Sequence, residues 1–319
     1  MQGIPRFYRF ASIPTGSVRN RDSQNRAGRP IISDMSRGFS IIIAAHNEGA
    51  VIEATLRSVL DNKLDRPLQV IVVANGCTDD TAEKARKFAP AVQVIETPVG
   101  NKINAINLGD REAKYFPRAF LDADCQLSEN LLQSVADAFE DPDVRIVAPG
   151  VKYVYEGHNP FLTGYYQLWR SLPYVRRNTM ARGFYAIDQR LRERYGEFPS
   201  LIADDKFIRN LTKPQERRVA KDCYTTVYLP DNFRDLLKVK TRWTFGNLEL
   251  AHRRPDLNVN DQGEHNGAMG YVLARPWLWI NVPTFLFVWW YARRAARKKL
   301  AEKRSGWERD ESTRIGVAS

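Results

Sequence analysis

Residues 39–48 read FSIIIAAHNE: a continuous apolar run, Phe39 to Ala45, followed by polar His46, Asn47 and Glu48. Ile52, Leu56, Val59 and Leu60 then recur at helical spacing. An unbroken apolar run before a polar loop and an amphipathic helix predicts a strand buried on both faces, as in a parallel sheet. Gln69 to Ala74 (QVIVVA) repeats the pattern. Asn75-Gly76 makes a turn, and Thr78 is placed to cap a helix with Asp79 and Asp80 in its first turn. Gln93 to Glu96 is a short third strand, Ala105 and Leu108 belong to another helix, and Ala119 to Asp124 (AFLDAD) is a further strand. Ser128 then stands as an N-cap before a face of Leu131, Leu132, Val135, Ala136 and Phe139, and Val144 to Ala148 is one more strand. Strands alternating with helices predict an α/β Rossmann-like domain, its central sheet mostly parallel with helices on both faces. Ligands of such sheets bind beyond the carboxyl ends of the strands, where these polar loops lie.

At 319 residues the chain suits one large α/β domain, or two halves sharing a core. The expected divisions are a basic arm over 1–36, a nucleotide-binding half over 37–150, an acceptor-binding and catalytic half over 151–250, and a C-terminal segment over 251–319. A net charge of +11 points to an anionic partner. Cys77, Cys125 and Cys223 lack CxxC spacing, and His46, His158, His252 and His265 form no HExxH, which argues against a disulfide scaffold and a zinc site. No helix-turn-helix, zinc-finger or RNA-recognition signature accompanies the charge, so nucleic acid is not the expected partner. The first thirty residues carry Arg6, Arg9, Arg19, Arg21, Arg26 and Arg29 and no signal-peptide core, so a basic arm on a chain that stays in the cytosol is expected.

Three constellations carry chemistry. Asp122-Ala123-Asp124 ends an apolar strand; with period two both carboxylates face one way and can share a hard cation, Mg²⁺ or Mn²⁺, although a single Asp-x-Asp also suits a surface turn. Asp204 and Asp205 stand among Leu201, Ile202, Phe207 and Ile208. Desolvation and like charge would raise a pKa there and suit a general base; the same pair also suits the first turn of a helix. KVKTRWTFGN (238–247) joins Lys238, Lys240 and Arg242, suited to a diphosphate, to Trp243, suited to a sugar face. Tyr153, Tyr155, Phe161, Tyr165, Tyr166, Trp169 and Tyr174 read equally as core or as an acceptor groove.

Taken in order, IIIAAHNE, VVANGCTDDT, VGNKINAINLG, FLDADC, IADDKFIRN and KTRWTFGN resemble the family-two glycosyltransferases, inverting enzymes of the GT-A fold, over roughly Phe39 to Asn247. The resemblance implies nucleoside contacts at Ala45, Glu48, Asn75 and Asp80, and a nucleotide contact at Lys102 from a GK-like segment. It further implies metal ligation by Asp122 and Asp124, a catalytic base at Asp205 beside Asp204, and donor or acceptor contacts from Lys240, Arg242 and Trp243 at a QxxRW-like motif. Val239 replaces the Gln of processive members, so transfer of one or a few sugars is expected. The implied partners are a nucleotide sugar, by family default UDP-linked, and a glycan or lipid-linked acceptor. A sugar-1-phosphate nucleotidyltransferase would carry a Gly-rich, Arg-containing loop after the first strand, which IIIAAHNEGA lacks. An inactive nucleotide-sugar-binding subunit would have lost its acids.

PWLWINVPTFLFVWWYA (276–292), followed by Arg293, Arg294, Arg297, Lys298 and Lys299, is short for a span. Its uncharged part reaches only about 26 Å as a helix. Pro283 should kink it, and its tryptophans favour a headgroup boundary. Shallow attachment to the cytoplasmic face of an anionic membrane, peripheral or monotopic, is the expectation; a buried aromatic helix pair and a tilted single span are the alternatives.

Overall fold

The computed structural model describes residues 38–157, 159–176, 182–261 and 268–302. The N-terminal arm lies outside the described residues. Strand β1 (Phe39–Ala45), helix α1 (Ile52–Leu60), β2 (Leu68–Asn75), α2 (Thr81–Arg86), β3 (Val92–Thr97), α3 (Lys102–Glu112) and β4 (Arg118–Asp122) realise the alternating units. β5 (Gln126–Leu127), α4 (Leu131–Ala138), β6 (Ile146–Val154), α5 (Pro160–Ser171), α6 (Pro173–Arg176), β7 (Phe184–Ile187) and α7 (Gln189–Arg192) follow. The chain continues through α8 (Asp204–Asn210), β8 (Arg217–Tyr228), α9 (Phe233–Arg253), α10 (Ala268–Leu273) and α11 (Val282–Ala301).

One eight-stranded sheet has the order β3-β2-β1-β4-β7-β6-β8-β5. β1 pairs in parallel with β2 and β4, and β2 with β3, while β7 runs antiparallel between β4 and β6. The sheet therefore crosses both halves expected from the sequence. Alternate residues of β1 face opposite layers. Ile41 and Ile43 pack in a cluster with Leu56 of α1 and Leu132 of α4, whereas Ile42 packs with Ile106 of α3 and Ile208 of α8. Each such fully buried Ile or Leu contributes about 1.5–3 kcal/mol. Helices on both faces keep the sheet dry and leave the strand ends as its polar edge.

Local capping differs from the expectation at two helices. Thr78 does not cap α2, whose N-cap residue is Asp80; Asp79 instead accepts hydrogen bonds from the Thr81 amide and hydroxyl. Ser128 precedes the N-cap of α4, Asn130, and its hydroxyl accepts from the Tyr224 amide of β8.

The C-terminal region also departs from its expectation. Residues Pro276–Asn281 form a 3₁₀ turn, and Pro283 sits in the first turn of α11. There its missing amide costs no intrahelical bond, so it starts the helix and does not kink it. α11 buries Val288, Ala292 and Ala296. Phe285 stacks on Tyr165 of α5 at 5.7 Å, and Phe287 on Phe233 of α9 at 6.0 Å. Trp277, Trp279, Ile280, Leu286, Trp289 and Trp290 stay exposed. Among the described residues no helix is long and apolar enough to cross a membrane.

Candidate active site

The loop after β1 is held by the loop after β2. His46 Nδ1 lies 2.6 Å from the Asn75 carbonyl, and the Asn75 side-chain amide donates to the Ala45 carbonyl at 2.8 Å. Asn47, at φ 51°, accepts from the Thr78 amide at 2.7 Å, while the Glu48 amide donates to the Thr81 hydroxyl. Asn tolerates this left-handed backbone better than most residues. Gly76 takes φ 59° with Gly100 against its α-carbon, where any side chain would collide. These contacts fix the two loops against each other.

β4 stops at Asp122, two residues short of the end of the DxD. The Asp122 amide donates to the Gly183 carbonyl at 2.8 Å, and the Cys125 amide turns back to the Asp122 carbonyl at 3.1 Å. Strand alternation therefore does not align the two carboxylates; a turn does. Ligand atoms of Asp122, Asp124 and Cys125 still lie within 4.8 Å of one another. Gly183, at φ 75°, leaves room for this turn, since a β-carbon there would meet Cys125 Sγ at 2.4 Å. Burial, reinforced by Asp124 and Asp122, pushes the Cys125 thiol well above its ordinary pKa, so it remains a neutral neighbour.

Lys102, first residue of α3, joins both acidic elements: its Nζ is 2.9 Å from Asp122 Oδ1 and 3.2 Å from Asp204 Oδ1. Burial raises the Asp122 pKa, but Lys102 and Arg242 outweigh it and hold the carboxyl below its usual range. Asp204 also accepts from the Tyr185 hydroxyl at 3.3 Å. Asp205, its neighbour in the first turn of α8, is pushed up to about 6 by burial and then by Asp204. The two readings of this pair describe one arrangement: a helix N-terminus that also raises a pKa. α9 is drawn against this turn, because Gly246 leaves space for Ala203 and Glu249 accepts from the Ile202 amide at 3.2 Å.

These groups line one cavity of about 450 Å³, which includes Glu48, Asn75, Lys102, Asp122, Asp124, Asp204, Asp205, Lys240, Arg242 and Trp243. Ala45 and Asp80 are not in its wall. The Ala45 side chain is core, and Asp80 pairs with Lys84 at 3.0 Å. Lys238 turns aside to Asp235 at 2.7 Å. Lys240 stands among rings, 3.9 Å from the Trp169 centroid and 4.2 Å from that of Trp243. The far wall is aromatic and aliphatic, from α5, α9 and α11, so Tyr165, Tyr166 and Trp169 are at once core and cavity lining.

Sequence reasoning missed Tyr185, Arg182 and the α11 wall. Tyr185 lies on a four-residue antiparallel strand with no periodic signature, and α11 approaches only through tertiary packing. Four acids, Asp122, Asp124, Asp204 and Asp205, share the polar end with Lys102 and Arg242. That excess of hard oxygen donors fits Mn²⁺ or Mg²⁺, for which Asp122 and Asp124 offer adjacent carboxylates.

Residues 40–192 match the family model Glycosyl transferase family 2. The chain is 31% identical over 170 residues to a hyaluronan synthase of Pasteurella multocida, covering 49% of this chain and 17% of that one. It is 29% identical over 167 residues to a chondroitin synthase of Pasteurella multocida (strain Pm70), covering 48% and 17%. The chain thus spans under a fifth of these synthases. Among solved structures it is similar in fold to the mannosyltransferase PcManGT from Pyrobaculum calidifontis, solved with GDP-Man and Mn²⁺. That likeness has a TM-score of 0.53 at 19% identity and covers 88% of this chain and 80% of that one. Over residues 40–192 the chain is thus recognised as similar to glycosyl transferase family 2, and that segment lies on an α/β, GT-A-like sheet.

Proposed function

We propose that the chain is an inverting glycosyltransferase moving a sugar from a nucleotide sugar, UDP-linked by preference, to a hydroxyl of a glycan or lipid-linked acceptor in cell-surface polysaccharide or glycolipid synthesis. The observation that carries this reading is one cavity joining the Asp122–Asp124 turn, Lys102 and the raised carboxyl of Asp205. Glu48 and Asn75 border the nucleoside end, with Ala45 and Asp80 supporting their loops. Asp122 and Asp124 would hold a Mn²⁺ or Mg²⁺ ion, which would supply positive charge to a departing diphosphate. Asp205 accepts the proton of the acceptor hydroxyl as its oxygen attacks the anomeric carbon. A base with a pKa near 6 is ionised at neutral pH yet still basic enough for the task. Asp204, fixed by Lys102 and Tyr185, positions the pair. Lys102 and Arg242 add positive charge toward the phosphates.

The exposed tryptophans around α11, with exposed Arg294, Arg297 and Lys298 beyond them, support attachment of the enzyme to the cytoplasmic face of an anionic membrane without a span. A screen of nucleotide sugars for binding and slow hydrolysis with Mn²⁺ tests the function. Stabilisation and hydrolysis of one donor are expected; no response to any donor would refute the reading.

A further inference from the structure

Lys240 and Arg182 face the cavity at the aromatic wall, away from the ion pairs that knit Lys102 to Asp122 and Asp204. The Lys240 ammonium lies 3.9 Å from the Trp169 ring centre, 4.2 Å from that of Trp243 and 5.7 Å from that of Tyr165. The Arg182 guanidinium lies over the same Trp169 at 5.2 Å and donates to the Tyr153 hydroxyl. Among the described residues, no carboxylate pairs with either cation. Ring faces compensate a buried cation only in part, and two like charges sharing one indole repel. Burial, and then Arg182, accordingly hold the Lys240 pKa well below its ordinary value. A bound anion would relieve both the desolvation and the repulsion.

The surroundings narrow the anion's chemistry. Beyond these rings the wall includes Leu236, Phe285, Val288, Trp289 and Ala292, and the Tyr166 hydroxyl is already donated to the Pro230 carbonyl at 2.8 Å. Along these apolar side chains a hydrocarbon chain would need no hydrogen-bond partners. The wall belongs to α11, whose opposite side exposes Trp290 and Leu286. We propose that Lys240 and Arg182 seat the phosphate or diphosphate of a lipid-linked acceptor, with its hydrocarbon part along α5 and α11. The acceptor role rests on the glycosyltransferase reading; the anion seat itself does not.

The test is calorimetric titration of the full chain with farnesyl phosphate, farnesol, inorganic phosphate and a glucuronate-containing disaccharide, and separately with UDP plus Mn²⁺. Farnesyl phosphate should bind at least about tenfold more tightly than the other three probes, and Lys240→Met and Arg182→Gln should each remove about tenfold of that affinity. UDP–Mn²⁺ affinity should stay within about twofold in both variants. Melting curves check folding, and Arg182→Gln carries the test alone if Lys240→Met does not fold. Equal binding of farnesyl phosphate and farnesol would overturn the anion seat. A parallel loss of UDP affinity would reassign the cations to the donor diphosphate, and tighter binding of the disaccharide would reassign the wall to an acidic sugar. Farnesyl phosphate binding as expected, with no UDP binding to the unaltered chain, would uphold the seat and remove the transferase reading.

Discussion

At the carboxyl ends of β1, β2 and β4, charged groups are held by one another: Lys102 bridges Asp122 and Asp204, and Tyr185 fixes the latter. At the opposite wall Lys240 and Arg182 rest on Trp169 with no carboxylate beside them among the described residues, and Phe285 and Val288 replace polar groups. One end has an excess of acids suited to a metal ion and a proton transfer. The other has cations and apolar surface suited to an amphiphile. On the proposed reading, a single cavity separates, by chemistry, the groups that act on a donor from those that receive an acceptor.

The sharpest way to break this comparison is within the acid pair. Asp205→Asn should keep donor binding and lose about 10³-fold in transfer, because an amide cannot take the acceptor proton. Asp204→Asn should cost less, since Asp204 acts by position. Should it prove the more damaging of the two at equal stability, the base has been assigned to the wrong neighbour.

The pH profile separates the acids further. With its pKa raised to about 6, Asp205 must lose its proton before it can serve as base. Transfer should therefore rise about tenfold per pH unit below 6 and level off above. Asp122, held low by Lys102, should not titrate in that window. A midpoint near the ordinary carboxylate value would mean that burial does not govern the base.

A smaller effect is expected at the outer face of α11. Replacing Leu286 and Trp290, which are exposed and lie outside the cavity lining, by Ala should reduce co-sedimentation with anionic vesicles by roughly tenfold. Activity on a soluble acceptor should change little. Binding of the unaltered chain that is indifferent to anionic lipid and to salt would remove the membrane contact.

The donor end was largely legible in the sequence because its signals are local. Apolar runs of β1 and β2 end in polar loops, and Asp122, Asp124 and Asp205 fall at element ends where packing does not demand an acid. The geometry behind them was not. The DxD pair is aligned by a turn held by Gly183, sixty residues on, and no periodicity announces that contact. β5 has two residues and β7 four, too short for a pattern, and β8 mixes exposed with buried positions. Lys240 was readable as a cation but not as one ringed by Trp169 and Trp243, because α5 and α9 meet only in the folded chain. Pro283 misled for a related reason: whether proline starts or kinks a helix depends on where the helix begins.

The central claim is that the turn at Asp122 and Asp124 forms a metal-dependent donor site. Calorimetric titration of UDP with and without Mn²⁺, into the unaltered chain and into Asp122→Asn and Asp124→Asn, tests it most directly. UDP should bind tightly only with Mn²⁺, and each variant should lose about a hundredfold or more of that affinity while melting as the unaltered chain does. Binding that ignores Mn²⁺, or survives unchanged in both variants, would contradict it.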